Sequence, residues 1–171
     1  MANDATMTTK AVFLPDEIQR TLKDLTFSYT PANSSEKWFY GLINVRNASI
    51  KLIEGYFVET NVSGGRNAGA APTAITTLDK VKFLFIKNTA TTDGSSATDE
   101  SVLITLDGSA PAYGSTVVLE IGTGESWSCK PTNTTVGDIY SITVDSASGV
   151  LSTGDGNVQC VVAAIIDDVG I

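Results

Sequence analysis

The sequence predicts an all-β protein, an antiparallel β-sandwich with a jelly roll as one possible strand order, preceded by a short N-terminal arm and helix. Three observations carry this. Short apolar runs alternate with a period of two, the spacing that sends successive side chains to opposite faces of a sheet. Gly, Asn, Asp and Ser clusters separate the runs, giving about eight or nine strands at spacings of roughly 10–20 residues. The strand–helix alternation of a parallel sheet is missing. With 171 residues, the chain suits one domain, drawn as an arm over residues 1–13 and a single sandwich over 14–171.

The elements follow in order. Met1–Thr9 is small, polar and Thr-rich and reads as an arm, either frayed or draped over a neighbour. Leu14–Leu25, LPDEIQRTLKDL, reads as a helix. Pro15 suits its first turn, Asp16 and Glu17 suit the positive end of its dipole, and Ile18, Leu22 and Leu25 share a face. Leu25–Tyr29 alternates as a strand. Lys37–Val45 is apolar on both faces, the pattern of a central strand. Ser49–Asn61 is a long run in which Gly55 marks a bulge or bend, and a small-residue loop, SGGRNAGAAPT, follows it.

In Lys80–Asn88, Val81, Phe83 and Phe85 fall on one face and Lys82, Leu84 and Ile86 on the other. Ser101–Gly108 directs Val102, Ile104 and Leu106 inward and turns at Asp107-Gly108. Thr116–Ile121 directs Val117, Leu119 and Ile121 inward and Glu120 outward. Asp138–Asp145 alternates Tyr140, Ile142 and Val144. After the Gly154-Asp155-Gly156 turn, Asn157–Ile166 alternates Val158, Cys160, Val162, Ala164 and Ile166.

Composition narrows the function. The net charge is −8 and no Lys/Arg cluster is present, so the chain repels phosphate and no nucleic-acid partner is expected. No window approaches the ~20 apolar residues of a membrane span, and no membrane partner is expected. MANDATMTTK lacks the charged start and apolar run of a signal peptide, which points to synthesis in a cytoplasm. The chain has no histidine, which removes the commonest general base and most zinc sites. Its two cysteines, Cys129 and Cys160, are either one bridge or two buried thiols. The Asn-x-Ser/Thr sequons at Asn33, Asn47, Asn61 and Asn133 read as chance in a Ser/Thr-rich chain.

Candidate chemistry is sparse. Asp167-Asp168, Asp99-Glu100, Asp107 and Asp155 could pair as acid and base, but nearly all lie at turns, where Asp bonds its own backbone. TTDGSSATDE at Thr91–Glu100 carries oxygen ligands suited to calcium without the EF-hand spacing. Trp38 begins an apolar strand and is expected in the core, whereas Trp127 ends one and suits either a sugar platform or a subunit contact. SGGRNAG and GTGES match neither a P-loop nor a dinucleotide fingerprint. No catalytic residue, metal ligand or cofactor is expected.

KFLFIKN at Lys82–Asn88, a Thr/Ser/Asp loop, VLITLDG at Val102–Gly108 and VVLEIGTGESW at Val117–Trp127 together resemble small virion structural proteins of tailed bacteriophages. VQCVVAAI at Val158–Ile165 extends the likeness, while Thr123 stands where those chains commonly carry proline. The resemblance covers about half the chain and is a pattern of strands and turns. It implies a capsid decoration (cement) protein on the outer surface of the virion, binding the major capsid protein and itself, commonly as a homotrimer. A receptor- or carbohydrate-binding fibre module and a tail-tube or neck component are the alternatives. The expected contact residues are Thr6, Met7, Lys10 and Phe13 of the arm, Ile18 and Leu22 of the helix, and Tyr113 and Trp127.

Overall fold

The computed structural model describes residues 5–9, 12–13, 20–21, 25–58, 73–111, 118–145, 150–151 and 156–169. The chain divides into two compact units, Met1–Ser34 and Ser35–Ile171.

In the first unit, β1 (Ala5–Thr9) pairs antiparallel with β4 (Leu25–Tyr29), from Ala5↔Tyr29 to Thr9↔Leu25. Between them β2 (Val12–Phe13) pairs with β3 (Arg20–Thr21). This corrects the expected helix. Arg20, Thr21 and Leu25 lie in strands, and residues 14–19 and 22–24 lie outside the described residues. The expected arm is likewise strand over Ala5–Thr9 and Val12–Phe13. A twelve-residue helix is marginal by itself, whereas Thr8, Thr9, Val12, Thr21, Thr26, Phe27 and Tyr29 are β-branched or aromatic and favour a pleated ribbon.

The second unit is the sandwich. One sheet runs β10 (Ser126–Cys129), β7 (Lys80–Asn88), β13 (Val158–Asp167), β5 (Glu36–Val45). The other runs β11 (Tyr140–Asp145), β8 (Ser101–Thr105), β9 (Leu119–Ile121). Two short strands, β6 (Ile50–Lys51) and β12 (Val150–Leu151), share the far edge of β11. Every pairing is antiparallel. Leaving out β12, the body strands pair first with last (β5–β13), second with seventh (β6–β11), third with sixth (β7–β10) and fourth with fifth (β8–β9). That nested order is a jelly roll.

The core lies between the sheets. Val158, Cys160, Val162, Ala164 and Ile166 of β13 all face it, as their alternation requires. Phe39 and Val45 of β5, Leu84 and Ile86 of β7, Val102 and Ile104 of β8 and Ile121 of β9 complete it, with Leu106 and Leu119 packed at its margin. Val117 lies outside the described residues. Gly55 takes φ +112° where the long run after β6 bends, a conformation that strains any other residue. Beyond the bend, Val58 N–H donates to the Trp38 carbonyl at 2.8 Å.

Two strands depart from simple alternation. In β7 the register against β13 slips between Ile165 and Ile166, so Lys82 is an unpaired bulge residue. The bulge changes the phase: Val81 faces the core before it, and Leu84 and Ile86 face the core after it. In β11 the residues beside core-facing Ile104 and Val102 are Ser141 and Thr143, both fully buried. Tyr140 and Ile142 therefore point to the opposite face, where Ile142 packs with Leu103 and Val118.

Candidate contact surface

Strand β5 read as a central strand, apolar on both faces. Its place in the sheet is otherwise: β13 is central and β5 lies at the margin. The inward residues Phe39, Gly41, Ile43 and Val45 stand beside Ala164, Val162, Cys160 and Val158. The outward residues Trp38, Tyr40 and Leu42 stand beside Ile165, Ala163 and Val161, which in turn neighbour Phe83, Phe85 and Lys87 of β7. Trp38, expected in the core, therefore lies on the outer face, because the strand's alternation gives the core to Phe39. The outer face of this sheet is thus a second, largely apolar field, three rows deep, in which Lys87 is charged and no carboxylate appears. Its exposure is graded. Phe83 and Ile165 are buried, Phe85, Val161 and Ala163 are partly exposed, and Tyr40 and Leu42 are 64% and 62% exposed. Large exposed apolar side chains gathered on one face mark an interaction surface more often than singly scattered ones do.

The edge of β5 is as informative as its face. In an antiparallel ladder a strand aims the polar groups of alternate residues to alternate sides. Trp38 aims its carbonyl away from β13, at Val58, so Tyr40, Leu42 and Asn44 aim theirs the same way. At the far end, Thr143 N–H donates to the Arg46 carbonyl at 2.9 Å as the chain leaves the sheet. Between these two contacts, no described residue pairs with the outer edge of Tyr40, Leu42 or Asn44, and all three residues are exposed.

The other expected site residues fall as follows. Thr6 and Met7 lie in β1 opposite Ser28 and Phe27, and Phe13 lies in β2 opposite Arg20. Lys10, Ile18, Leu22 and Tyr113 lie outside the described residues. Trp127 stands beside Ile86 on the inner side of β10 and packs against the core, partly buried, so its indole is a wall of the sandwich and not an open platform.

The acidic turns are occupied by their own loops. Asp93 accepts from the backbone N–H groups of Ser95 (2.9 Å) and Ser96 (2.7 Å) and from both hydroxyls. These bonds, led by the Ser96 amide, lower its carboxyl to about 2. Asp107 accepts from Ser109 N–H at 3.0 Å, which lowers its carboxyl as well. Asp167 accepts from Ser35 Oγ (2.7 Å) and faces Lys82 (3.4 Å), while Asp168 pairs with Lys37 (2.9 Å). Asp155 lies outside the described residues. Among the described residues no cluster of three or more His, Cys, Asp or Glu side chains could hold a metal. The GTGES turn is closed by Glu125, which takes Gly122 N–H on its carboxylate and gives its own N–H to the Gly122 carbonyl, both at 3.0 Å. Thr123 thus occupies a closed turn without proline.

The cysteines are two free thiols. Cys129 stands beside Leu84, whose β13 neighbour is Ala164, four residues along from Cys160. Two strand spacings and four residues place their Cα atoms about 16 Å apart, far beyond disulfide reach. Burial raises Cys129 to about 11 and Cys160 to about 12, so both stay protonated and unreactive at neutral pH.

No protein-family model, curated protein or solved structure matches this chain.

Proposed function

We propose that this chain is a non-enzymatic structural protein of a virion, a bacteriophage capsid-decoration protein that binds the outer surface of the shell and holds its subunits together. One observation carries the reading: a chain of net charge −8 keeps three rows of one sheet face free of carboxylates and leaves Tyr40 and Leu42 exposed there. Such a surface gains free energy when another protein covers it, at roughly 25 cal/mol per Å² of apolar area. The resemblance of the strand and turn pattern to virion proteins supports the same reading. So does the jelly-roll order, which recurs in viral coat domains, although a fold by itself hosts many functions.

The test is attachment to undecorated phage shells. The chain co-sediments with them, and Tyr40→Glu, which adds a charge to the apolar rows at little cost to the fold, reduces the bound fraction at least tenfold. Equal binding of Tyr40→Glu moves the contact elsewhere. Failure of the parent chain to bind any shell, or its location at the tail in imaged particles, overturns the capsid assignment.

A further inference from the structure

We infer that the open edge of β5 is a homotypic contact, at which a second copy of this chain pairs its own β5 antiparallel across a two-fold axis through Leu42. This rests on the adhesive reading above and names the partner.

Three observations converge. The first is composition. β5 has the sequence of a strand buried on both faces and paired on both sides, yet no described residue pairs with its outer edge over 40–44. Exposed edges are normally blunted with Lys, Pro or a bulge. From Trp38 to Val45, WFYGLINV has no charge and no proline, and its ladder to β13 is regular. Nothing in it prevents another strand from adding.

The second is symmetry. The open stretch is bounded by Val58 on the Trp38 carbonyl and by Thr143 on the Arg46 carbonyl. Both boundaries lie four residues from Leu42. A strand of the same sequence, laid antiparallel and centred there, sets Leu42 beside Leu42 of the second copy and Tyr40 beside its Asn44. These are the residues whose N–H and C=O point outward, so each pair exchanges two bonds, about six in all. A register moved toward the N-terminus meets Val58, and one moved toward the C-terminus runs past the point where the chain leaves the sheet. The gap therefore selects one register.

The third is charge. Two copies of a chain at −8 repel. Along 38–45 neither copy carries a charge, so this edge brings them together without opposing carboxylates. On the outer face the pairing sets the exposed Leu42 side chains side by side and each Tyr40 ring next to an Asn44, merging two apolar fields into one. The resulting sheet is continuous and eight-stranded. Its two-fold contact differs from the three-fold clusters the resemblance implies, and it can join them.

The contact engages about five residues a side, against ~20–30 for a stable interface. It is therefore concentration-dependent in solution and firm where copies are crowded, as on a particle surface.

The experiment is sedimentation equilibrium of the intact chain combined with cysteine cross-linking. The mass rises from 17.9 kDa toward twice that value as concentration increases, and Leu42→Lys, which opposes two like charges at the axis, holds it at the monomer with an unchanged melting temperature. Under mild oxidation Leu42→Cys forms a covalent dimer, because the paired Cα atoms lie about 5.5 Å apart. Asn44→Cys does not, because its symmetry mate lies about 14 Å away. A constant monomer mass to millimolar concentration overturns the inference. Association that survives Leu42→Lys, or dimers through Asn44→Cys in preference to Leu42→Cys, also overturns it, by placing the contact elsewhere. Shell binding is read separately, with the parent chain, so the inference can fail while the capsid reading stands. Loss of shell binding with self-association retained is the reverse outcome.

Discussion

Both sheets of the jelly roll carry apolar side chains on two faces, but they treat the second face differently. On the sheet built around β8, Ser101, Leu103, Thr105 and Ile142 of the outer face are all buried. On the sheet built around β13, the outer face is buried at Phe83 and Ile165 and open at Tyr40 and Leu42. The first sheet spends its second face on the stability of the chain itself. The second keeps part of it for a partner. A strand that is apolar on both faces thus reports that both will be covered, but not whether the cover comes from the same chain.

Substitutions can break this contrast. The largest effect is expected at Leu103→Ala, which opens a cavity under the covered face and costs about 2–4 kcal/mol in urea unfolding. A cost below about 1 kcal/mol would mean that this face is as loosely held as the other. Asn88→Ala comes next. The fully buried Asn88 amide donates to the Glu100 and Ile121 carbonyls and accepts from Ala90 N–H, tying both edges of a loop to the end of β7. Its loss strands buried polar groups and costs about 2–3 kcal/mol. Leu42→Ala, in contrast, should change the stability of the dilute chain by no more than about 0.5 kcal/mol, while its effect appears in association.

How much of this was legible in the sequence depends on the type of strand. β8, β9 and β13 alternate regularly against one core, and Val102, Ile104, Leu119, Ile121 and the five even-numbered β13 residues from Val158 to Ile166 could be assigned from spacing alone. β7 could not, because nothing in KVKFLFIKN distinguishes Lys82 as the residue that will bulge, and one bulge reverses every assignment before it relative to those after it. β11 misleads for another reason. Its apolar set faces outward because the covered outer face needs it, and the core accepts Ser141 and Thr143 in exchange. The first unit was misread because a helical face at Ile18, Leu22 and Leu25 is visible locally, whereas the pairing of residues 5–9 with 25–29 is a long-range contact that no short window contains.

The contact surface was half visible. The double apolar character of β5 was plain, but its position at the sheet margin depends on topology. Trp127 ends a strand, which makes it an expected anchor, but pairing with β7 turns it inward.

Smaller effects sharpen the picture. Ser141 Oγ is buried without a hydrogen-bond partner. Ser141→Ala is therefore expected to be neutral or to stabilise the fold by up to about 1 kcal/mol, read as a rise in melting temperature. For Cys160 the native thiol is raised from 9.0 to about 12. The unfolded chain releases this proton first, so stability from this group is complete below pH 9 and declines as pH rises toward 12. Cys160→Ala should flatten that alkaline decline. Asp93 acts in the opposite direction, since its carboxyl lies at about 2, below the ordinary 3.8. Its contribution is complete above that ordinary value and is lost as pH falls toward 2, a loss that Asp93→Asn should remove from the acid unfolding curve.

Amide hydrogen exchange across β5 tests the central claim most directly, because odd and even residues of this strand report different neighbours. In dilute solution, Phe39, Gly41 and Ile43 should be protected by β13, while Tyr40, Leu42 and Asn44 exchange freely. When copies are concentrated or assembled, the even-numbered amides should slow by at least tenfold and the odd-numbered ones should stay as they were. Even-numbered amides that exchange equally fast in both states would show that nothing pairs with this edge, and would contradict the account.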